Sequence, residues 1–169
     1  LFERECSVQR RFQKLIEETP SNSLPASLKK DIISCALKIA RESNYLGLGT
    51  IEFLVNIDSS GAYDFYFLEM NTRLQVEHPV TEETVGFDLV KWQILLHSGF
   101  SMPSLQEEIK QLGHSIECRL CAEEVQKNFL PSTGKIKNLY LPKLPGVRYD
   151  FGVFEGDEIS IQFDSLMGK

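Results

Sequence analysis

Apolar residues recur at Leu28, Ile32, Cys35, Ala36, Ile39 and Ala40, while Lys29, Lys30 and Arg41 fall on the other side. This 3.6-residue period predicts an amphipathic helix from Pro25 to Ser43, its polar face turned away from the core. The preceding Ser21-Asn22-Ser23-Leu24-Pro25 is turn chemistry, with Pro25 placed as a first helical residue. After Gly47 and Gly49 the pattern changes to strand. Thr50 to Ile57 is rich in β-branched and aromatic residues. Asp58-Ser59-Ser60-Gly61 then turns the chain into a second run, Tyr63 to Glu69, and the pair predicts a hairpin. The second strand is apolar on both faces, which predicts a central position covered from both sides. A further helix is expected from about Asp88, its cap, to Ser98, with Gly99 as terminator and Leu89, Trp92 and Leu96 in the core. Ser101 to Gly113, including Pro103, reads as a connector. Beyond it Gly and Pro punctuate short runs at 114–120, 135–141, 147–153 and 158–163, the rhythm of an antiparallel β lobe. The fold class is α+β, in two parts, 1–111 and 112–169.

The chain has 169 residues, the size of one domain or two small lobes. A compact chain of this length buries roughly 70% of its unfolded surface, enough for a core without staples. Lys and Arg number 18 against 24 Asp and Glu, a net charge of −6. That balance argues against partners such as nucleic acid or an anionic membrane, which need a positive footprint. No apolar run approaches the about 18 residues of a membrane span, and the start is not of the secretory type. Leu1-Phe2-Glu3 and Met167-Gly168-Lys169 both read as cuts, so a segment of a longer polypeptide is expected. Of four cysteines, Cys118 and Cys121 have C-x-x-C spacing. Ser115 to Leu120 alternates like a strand, however, and residues three apart on a strand face opposite ways. No second pair completes a zinc site. Structural thiols in a reducing compartment are expected.

The chemistry concentrates in Glu69 to Pro79. Glu69, Asn71, Arg73, Gln75 and Glu77 alternate with Met70, Thr72, Leu74 and Val76. In an extended chain, period two places the first set on one wall. One account of this alternation is the solvent face of an edge strand. The other is a cleft wall, favoured because the run leaves a doubly apolar strand and because Asn and Glu are depleted in strands. Carboxylates with an Asn oxygen are hard ligands suited to Mg²⁺, which takes one or two carboxylates plus substrate phosphates. Glu52 lies where a hairpin can pair it beside Glu69. Arg73 offers a planar fork for a small oxyanion, and Glu77 is available as a base.

Thr50 to Leu54, and above all the run Phe67 to Glu82 with its Gln75-Val76-Glu77-His78-Pro79, closely resemble biotin carboxylase, the ATP-grasp component of biotin-dependent carboxylases. Arg4 to Lys14 is similar to the family's strand and turn before its helix. Gly113 to Arg119, Phe129 to Gly134 and Asp164 to Lys169 resemble its C-terminal domain. The resemblance implies an ATP-grasp C-terminal subdomain followed by the antiparallel-β start of a biotin carboxylase C-terminal domain.

The resemblance also implies roles, residue by residue. Glu52, Glu69 and Asn71 would hold the Mg²⁺ (or Mn²⁺) ions that bridge ATP phosphates. Lys14, Arg73, Gln75 and the backbone of Val76 would bind bicarbonate. Glu77 would deprotonate it for attack on the γ-phosphate, giving carboxyphosphate. Arg119 would stabilise the enolate of biotin; a pair with Glu117 across one strand face is the alternative. Gln9, Leu54 and Leu68 would contact ATP. His78, fixed before Pro79, is expected to be structural.

Implied partners are bicarbonate, a biotin carboxyl carrier domain, a carboxyltransferase and, in the full-length form, a second copy. The implied compartment is the cytoplasm, or the mitochondrial matrix in a eukaryote. The family's glycine-rich phosphate lid and ATP-binding lysines lie upstream of the matching region, so the isolated segment is expected to be inactive. Phe12 departs from the family, standing where members often carry His, and the turn at 57–61 is longer than in compact members. Another ATP-grasp carboxylate–amine ligase and a non-catalytic assembly module are the alternatives.

Overall fold

The computed structural model describes residues 1–102 and 104–169; Pro103, placed in the connector by the sequence, lies outside the described residues. In chain order the elements are β1 (Glu5–Arg10), β2 (Gln13–Thr19), α1 (Ala26–Glu42), β3 (Thr50–Ile57), β4 (Tyr63–Asn71), α2 (His78–Val85), α3 (Leu89–His97) and β5 (Ser115–Cys118). Six short strands follow: β6 (Leu120–Cys121), β7 (Glu123–Glu124), β8 (Leu130–Pro131), β9 (Gly134–Lys135), β10 (Glu158–Ile159) and β11 (Leu166–Gly168). The chain divides into two compact units, one of residues 1–7 and 17–116, the other of residues 8–16 and 117–169. β1, β2 and β5 form a sheet in the order β1-β2-β5.

In the first unit, helix α1 follows Pro25, which stands one residue before the helix rather than within it. Leu28 is its fully buried residue. Lys29, expected to face away, is half-buried: its ammonium reaches a Glu3 carboxylate oxygen at 2.8 Å and donates to the Ser21 carbonyl at 2.6 Å. A long aliphatic stem can cross apolar surface and still deliver its charge to a partner. The hairpin β3–β4 has the expected strands, and Asp58 closes its turn by accepting from the Ser60 and Ala62 amides at 2.8 and 3.0 Å.

The expectation of a covered central strand fails at β4. Among the described residues β4 pairs only with β3, and Tyr66, Phe67 and Leu68 are exposed. Apolar composition allows a strand to be covered on both faces but does not require it. The fully buried apolar set is compact. Among the described residues the buried apolar side chains are Leu28, Val80, Val85, Leu89, Trp92 and Ile109.

Helix α2 is a further departure. Val80, Thr81, Thr84 and Val85 favour strand by propensity, and the sequence gives no helical period there. Burial of Pro79, Val80, Thr81, Glu82, Thr84 and Val85 outweighs that preference. Pro79 opens the helix, and Gly86 closes it at φ 74°, where its amide reaches the Glu82 carbonyl at 2.8 Å. Helix α3 begins as expected, with the Asp88 carboxylate accepting from the Lys91 amide at 2.8 Å. Val85, Leu89, Trp92 and Ile109 make the core, with Phe2, Leu48, Leu74 and Phe87 packed against it. Leu96 is only half-buried.

In the second unit the ladders are antiparallel, as expected: β6 with β11, β7 with β8, β9 with β10. Their lengths differ from the expectation. The run 135–141 contributes only the end of β9, and 158–163 only β10. The run 147–153 contributes a single bridge, Phe151 to Gly168. A Cβ on Gly168 would run into the Phe151 ring. The Arg10 guanidinium lies 3.9 Å from the Phe129 ring centroid and pairs with Glu123. Among the described residues no disulfide joins Cys6, Cys35, Cys118 and Cys121. Burial first, then the Glu123 carboxylate, pushes the Cys121 thiol up, the behaviour of an inert structural cysteine.

Candidate active site

The hairpin register sets Glu52 directly opposite Glu69 and Thr50 opposite Asn71. Beyond that pair the ladder shifts. Phe53 faces Phe67, so Leu68 is an extra residue that bulges from β4. Residues opposite one another in a ladder share a face, which puts Glu52, Glu69, Leu54 and Tyr66 on one side of the hairpin. Like charges directly opposite destabilise a strand pair. Here the Asn71 carboxamide mediates between them, its Nδ2 donating to Glu52 Oε1 at 3.1 Å and to Glu69 Oε1 at 2.8 Å. Glu69 is exposed and Glu52 half-buried.

The extended wall expected through residue 77 ends at Asn71. Residues 72–77 are a loop that turns into α2. The physical reason is anchoring: Leu74 packs on the core, while Gln75 and Glu77 are buried at 6% and 2% exposure. An alternation of apolar and polar residues is produced equally by a strand and by a loop tethered at alternate positions.

The loop nevertheless delivers Arg73 and Gln75 to the carboxylate patch. Gln75 Nε2 donates to Glu52 Oε1 at 2.9 Å, and Arg73 Nη2 donates to Asn71 Oδ1 at 3.4 Å. Glu77 occupies the residue before α2, without a side-chain hydrogen bond capping the helix. His78 is structural in its geometry, its Nδ1 standing 2.8 Å from the Gln75 carbonyl.

Lys14, Gln9 and Arg119 belong to the second unit. Lys14 lies on β2 and is half-buried; Gln9 lies on β1 and is exposed. Arg119 sits between β5 and β6, its backbone N–H donating to the Leu15 carbonyl at 2.9 Å. Glu117, the alternative partner considered for Arg119, lies 3.9 Å from the Lys169 ammonium. Val76 is half-buried in the loop of the first unit; Leu54, on the face of Glu52, is 58% exposed, and Leu68, in the bulge, 51% exposed.

Arg4 gave no signal in the sequence. Its guanidinium donates to Gln75 Oε1 at 2.7 Å, Thr50 Oγ1 at 2.9 Å and Thr81 Oγ1 at 3.1 Å. Those partners are 46 to 77 residues away, beyond any local spacing rule.

Among the described residues no three His, Cys, Asp or Glu side chains gather into a metal cluster. The donor set is two carboxylates and a carboxamide, which suits an ion that completes its shell with water and phosphate oxygens. Among the described residues no helix is long and apolar enough to cross a membrane.

Residues 1–105 match the family described as the carbamoyl-phosphate synthase L chain, ATP binding domain. Residues 117–169 match the biotin carboxylase C-terminal domain. Over 169 residues the chain is 47% identical to the mitochondrial methylcrotonoyl-CoA carboxylase subunit alpha of Glycine max, covering all of this chain and 23% of that protein. It is 46% identical to the biotin carboxylase of Halalkalibacterium halodurans, covering 36% of that protein. The biotin carboxylase domain of Hydrogenobacter thermophilus 2-oxoglutarate carboxylase, a dimer solved with MgADP, ADP and bicarbonate, superposes with a TM-score of 0.89 at 45% identity. That match covers 98% of this chain and 36% of that one. The chain thus spans from 23% to 36% of the length of these relatives.

Proposed function

We propose, for a chain that belongs to the family of carbamoyl-phosphate-synthase-type ATP-binding domains and within it to the biotin carboxylases, that it forms part of a ligase that carboxylates biotin with bicarbonate at the expense of ATP. The observation that carries this reading is the Glu52–Asn71–Glu69 bridge, with Gln75 on the same Glu52 oxygen and Glu77 buried at the start of α2. The boundary between the ATP-grasp part and the C-terminal domain is placed near residue 112.

The residues fit Mg²⁺ or Mn²⁺ held by Glu52 and Glu69, with the Asn71 oxygen joining them once its carboxamide, whose nitrogen now donates to both carboxylates, turns over. Bound there, such an ion supplies charge neutralisation for phosphoryl oxygens during transfer. The protein's own groups do the rest. Arg73, Gln75, Lys14 and the Val76 backbone bind and orient bicarbonate, the guanidinium offering two parallel donors to its oxygens. Glu77 takes the bicarbonate proton as its oxygen attacks the γ-phosphate, giving carboxyphosphate and ADP. Arg119 stabilises the negative oxygen of enolised biotin as its nitrogen attacks CO₂. Leu54 and Leu68 offer apolar surface for the adenine, with Gln9 a further nucleotide contact.

The partners of this reading are a biotin carboxyl carrier domain, a carboxyltransferase and a second copy of the full-length chain. The compartment is the cytoplasm, or the mitochondrial matrix in a eukaryote. The test is ADP release by the full-length polypeptide, assayed with and without bicarbonate and free biotin. Dependence on both supports the reading. ATP cleavage that needs an amine and ignores biotin identifies a carboxylate–amine ligase instead, and no cleavage identifies an assembly module.

A further inference from the structure

We infer that Arg4 is a positioning residue for the reaction proposed above: it touches no substrate, but sets which way the Gln75 carboxamide points and so holds the Glu52 carboxylate in place. The inference rests on that reading of Gln75 and Glu52 as bicarbonate-binding and metal-holding groups.

A carboxamide has a donor end and an acceptor end of nearly equal shape, and only its partners decide the orientation. Gln75 is buried at 6% exposure, so each end must find a protein partner. Arg4 is always charged and only donates. By placing Nη2 2.7 Å from Gln75 Oε1, it obliges that end to be the oxygen. The amide nitrogen must then face Glu52 Oε1, 2.9 Å away. The reverse orientation would set N–H₂ against the guanidinium and oxygen against the carboxylate, two like-with-like contacts in one buried site.

The same guanidinium ties three elements together. Its other contacts are the hydroxyls of Thr50, at the start of β3, and of Thr81, in α2. The loop 72–77 leaves β4 and enters α2, so one side chain fixes the start of the strand bearing Glu52, the loop bearing Gln75 and the helix behind Glu77. Lysine carries the charge but not the planar fork that spans these directions.

The chain of contacts runs Arg4–Gln75–Glu52–Asn71–Glu69. Partners that orient a metal ligand from the outer shell alter metal affinity or activity by about 10–100-fold when removed. Arg4→Met retains much of the stem and removes the donors. In the full-length polypeptide it should raise the KM for bicarbonate and the Mg²⁺ concentration for half-maximal rate by about 10-fold each, leaving the KM for biotin within a factor of two (roughly). Arg4→Lys should recover part of the loss.

The decisive comparison is a cycle with Gln75→Leu. If Arg4 acts through Gln75, the double variant is no worse than Gln75→Leu alone. A role in stability alone would add its loss to that of Gln75→Leu. A second readout is independent of turnover: Mn²⁺ titration followed by electron paramagnetic resonance, with ADP present. Weaker Mn²⁺ binding in Arg4→Met supports the inference even where the wild type fails to cleave ATP with bicarbonate, a result that would count against the proposed reaction alone. Additive losses in the cycle, or indistinguishable Mn²⁺ titrations of wild type and Arg4→Met, overturn it.

Discussion

Glu77→Gln isolates the proposed base from its surroundings. The side chain is 2% exposed and immediately precedes α2, so a substitution that changed its volume would disturb packing as well as chemistry. Gln is nearly isosteric and keeps one acceptor oxygen, but cannot take a proton. A positioned base contributes about 10²–10⁴ in rate, or roughly 2.7–5.4 kcal/mol of barrier at about 1.36 kcal/mol per tenfold. The structural cost has a separate source, the hydrogen bonding of a buried carboxylate, worth about 1.5–3 kcal/mol for a bond to a charged group, part of which the Gln oxygen and amide retain.

Chemistry therefore outweighs stability, and the two are separable by measurement. In the full-length polypeptide, bicarbonate-dependent ADP release should fall by about 10²–10⁴-fold, with the thermal midpoint lowered by only a few degrees. ATP affinity, read by calorimetry, should stay close to wild type. Activity within a few-fold of wild type would refute the assignment of Glu77. A collapse of the thermal midpoint together with activity would show that its burial serves the fold rather than the reaction.

Three further outcomes are expected. Glu69→Gln replaces one hard ligand with a neutral oxygen, so the Mg²⁺ titration of ATP cleavage should move to higher concentration; an unchanged curve would remove Glu69 from the metal site. Arg119→Ala should slow biotin carboxylation by on the order of 10²-fold while leaving biotin-independent ATP cleavage far less affected, and equal loss in both would make Arg119 structural. The 169-residue chain by itself should bind MgATP no tighter than about millimolar, because a few metal and adenine contacts do not offset association costs of about 4–15 kcal/mol; micromolar binding by calorimetry would contradict this.

The hairpin and its register were legible because β-branched and aromatic runs flank a turn whose Asp and Gly have local mechanisms. The Glu52–Glu69 pairing followed from that register. What the sequence hid was decided by partners far along the chain. Helix α2 is written in β-branched residues and becomes helical because its faces are buried. The loop 72–77 mimics a strand because Leu74, Gln75 and Glu77 are anchored in turn. Lys29 looks like a solvent residue until Glu3, 26 positions earlier, supplies a carboxylate. The exposed face of β4 shows the converse limit, since apolar residues there do not bring burial with them.

The electrostatics of the hairpin tie these elements to the proposed chemistry. Two glutamates set opposite one another on adjacent strands are a choice against stability, and an ordinary hairpin would place Thr or Lys at one of them. Here three neutral or cationic side chains manage the pair. Asn71 donates to both carboxylates, Gln75 to Glu52, and Arg4 fixes Gln75 from behind. They orient the carboxylates, whose oxygens are hard donors of the kind a divalent cation takes. The Leu68 bulge sits next to this pair, and bulges re-aim side chains near functional sites. The buried apolar packing lies elsewhere, around Trp92 and Leu28.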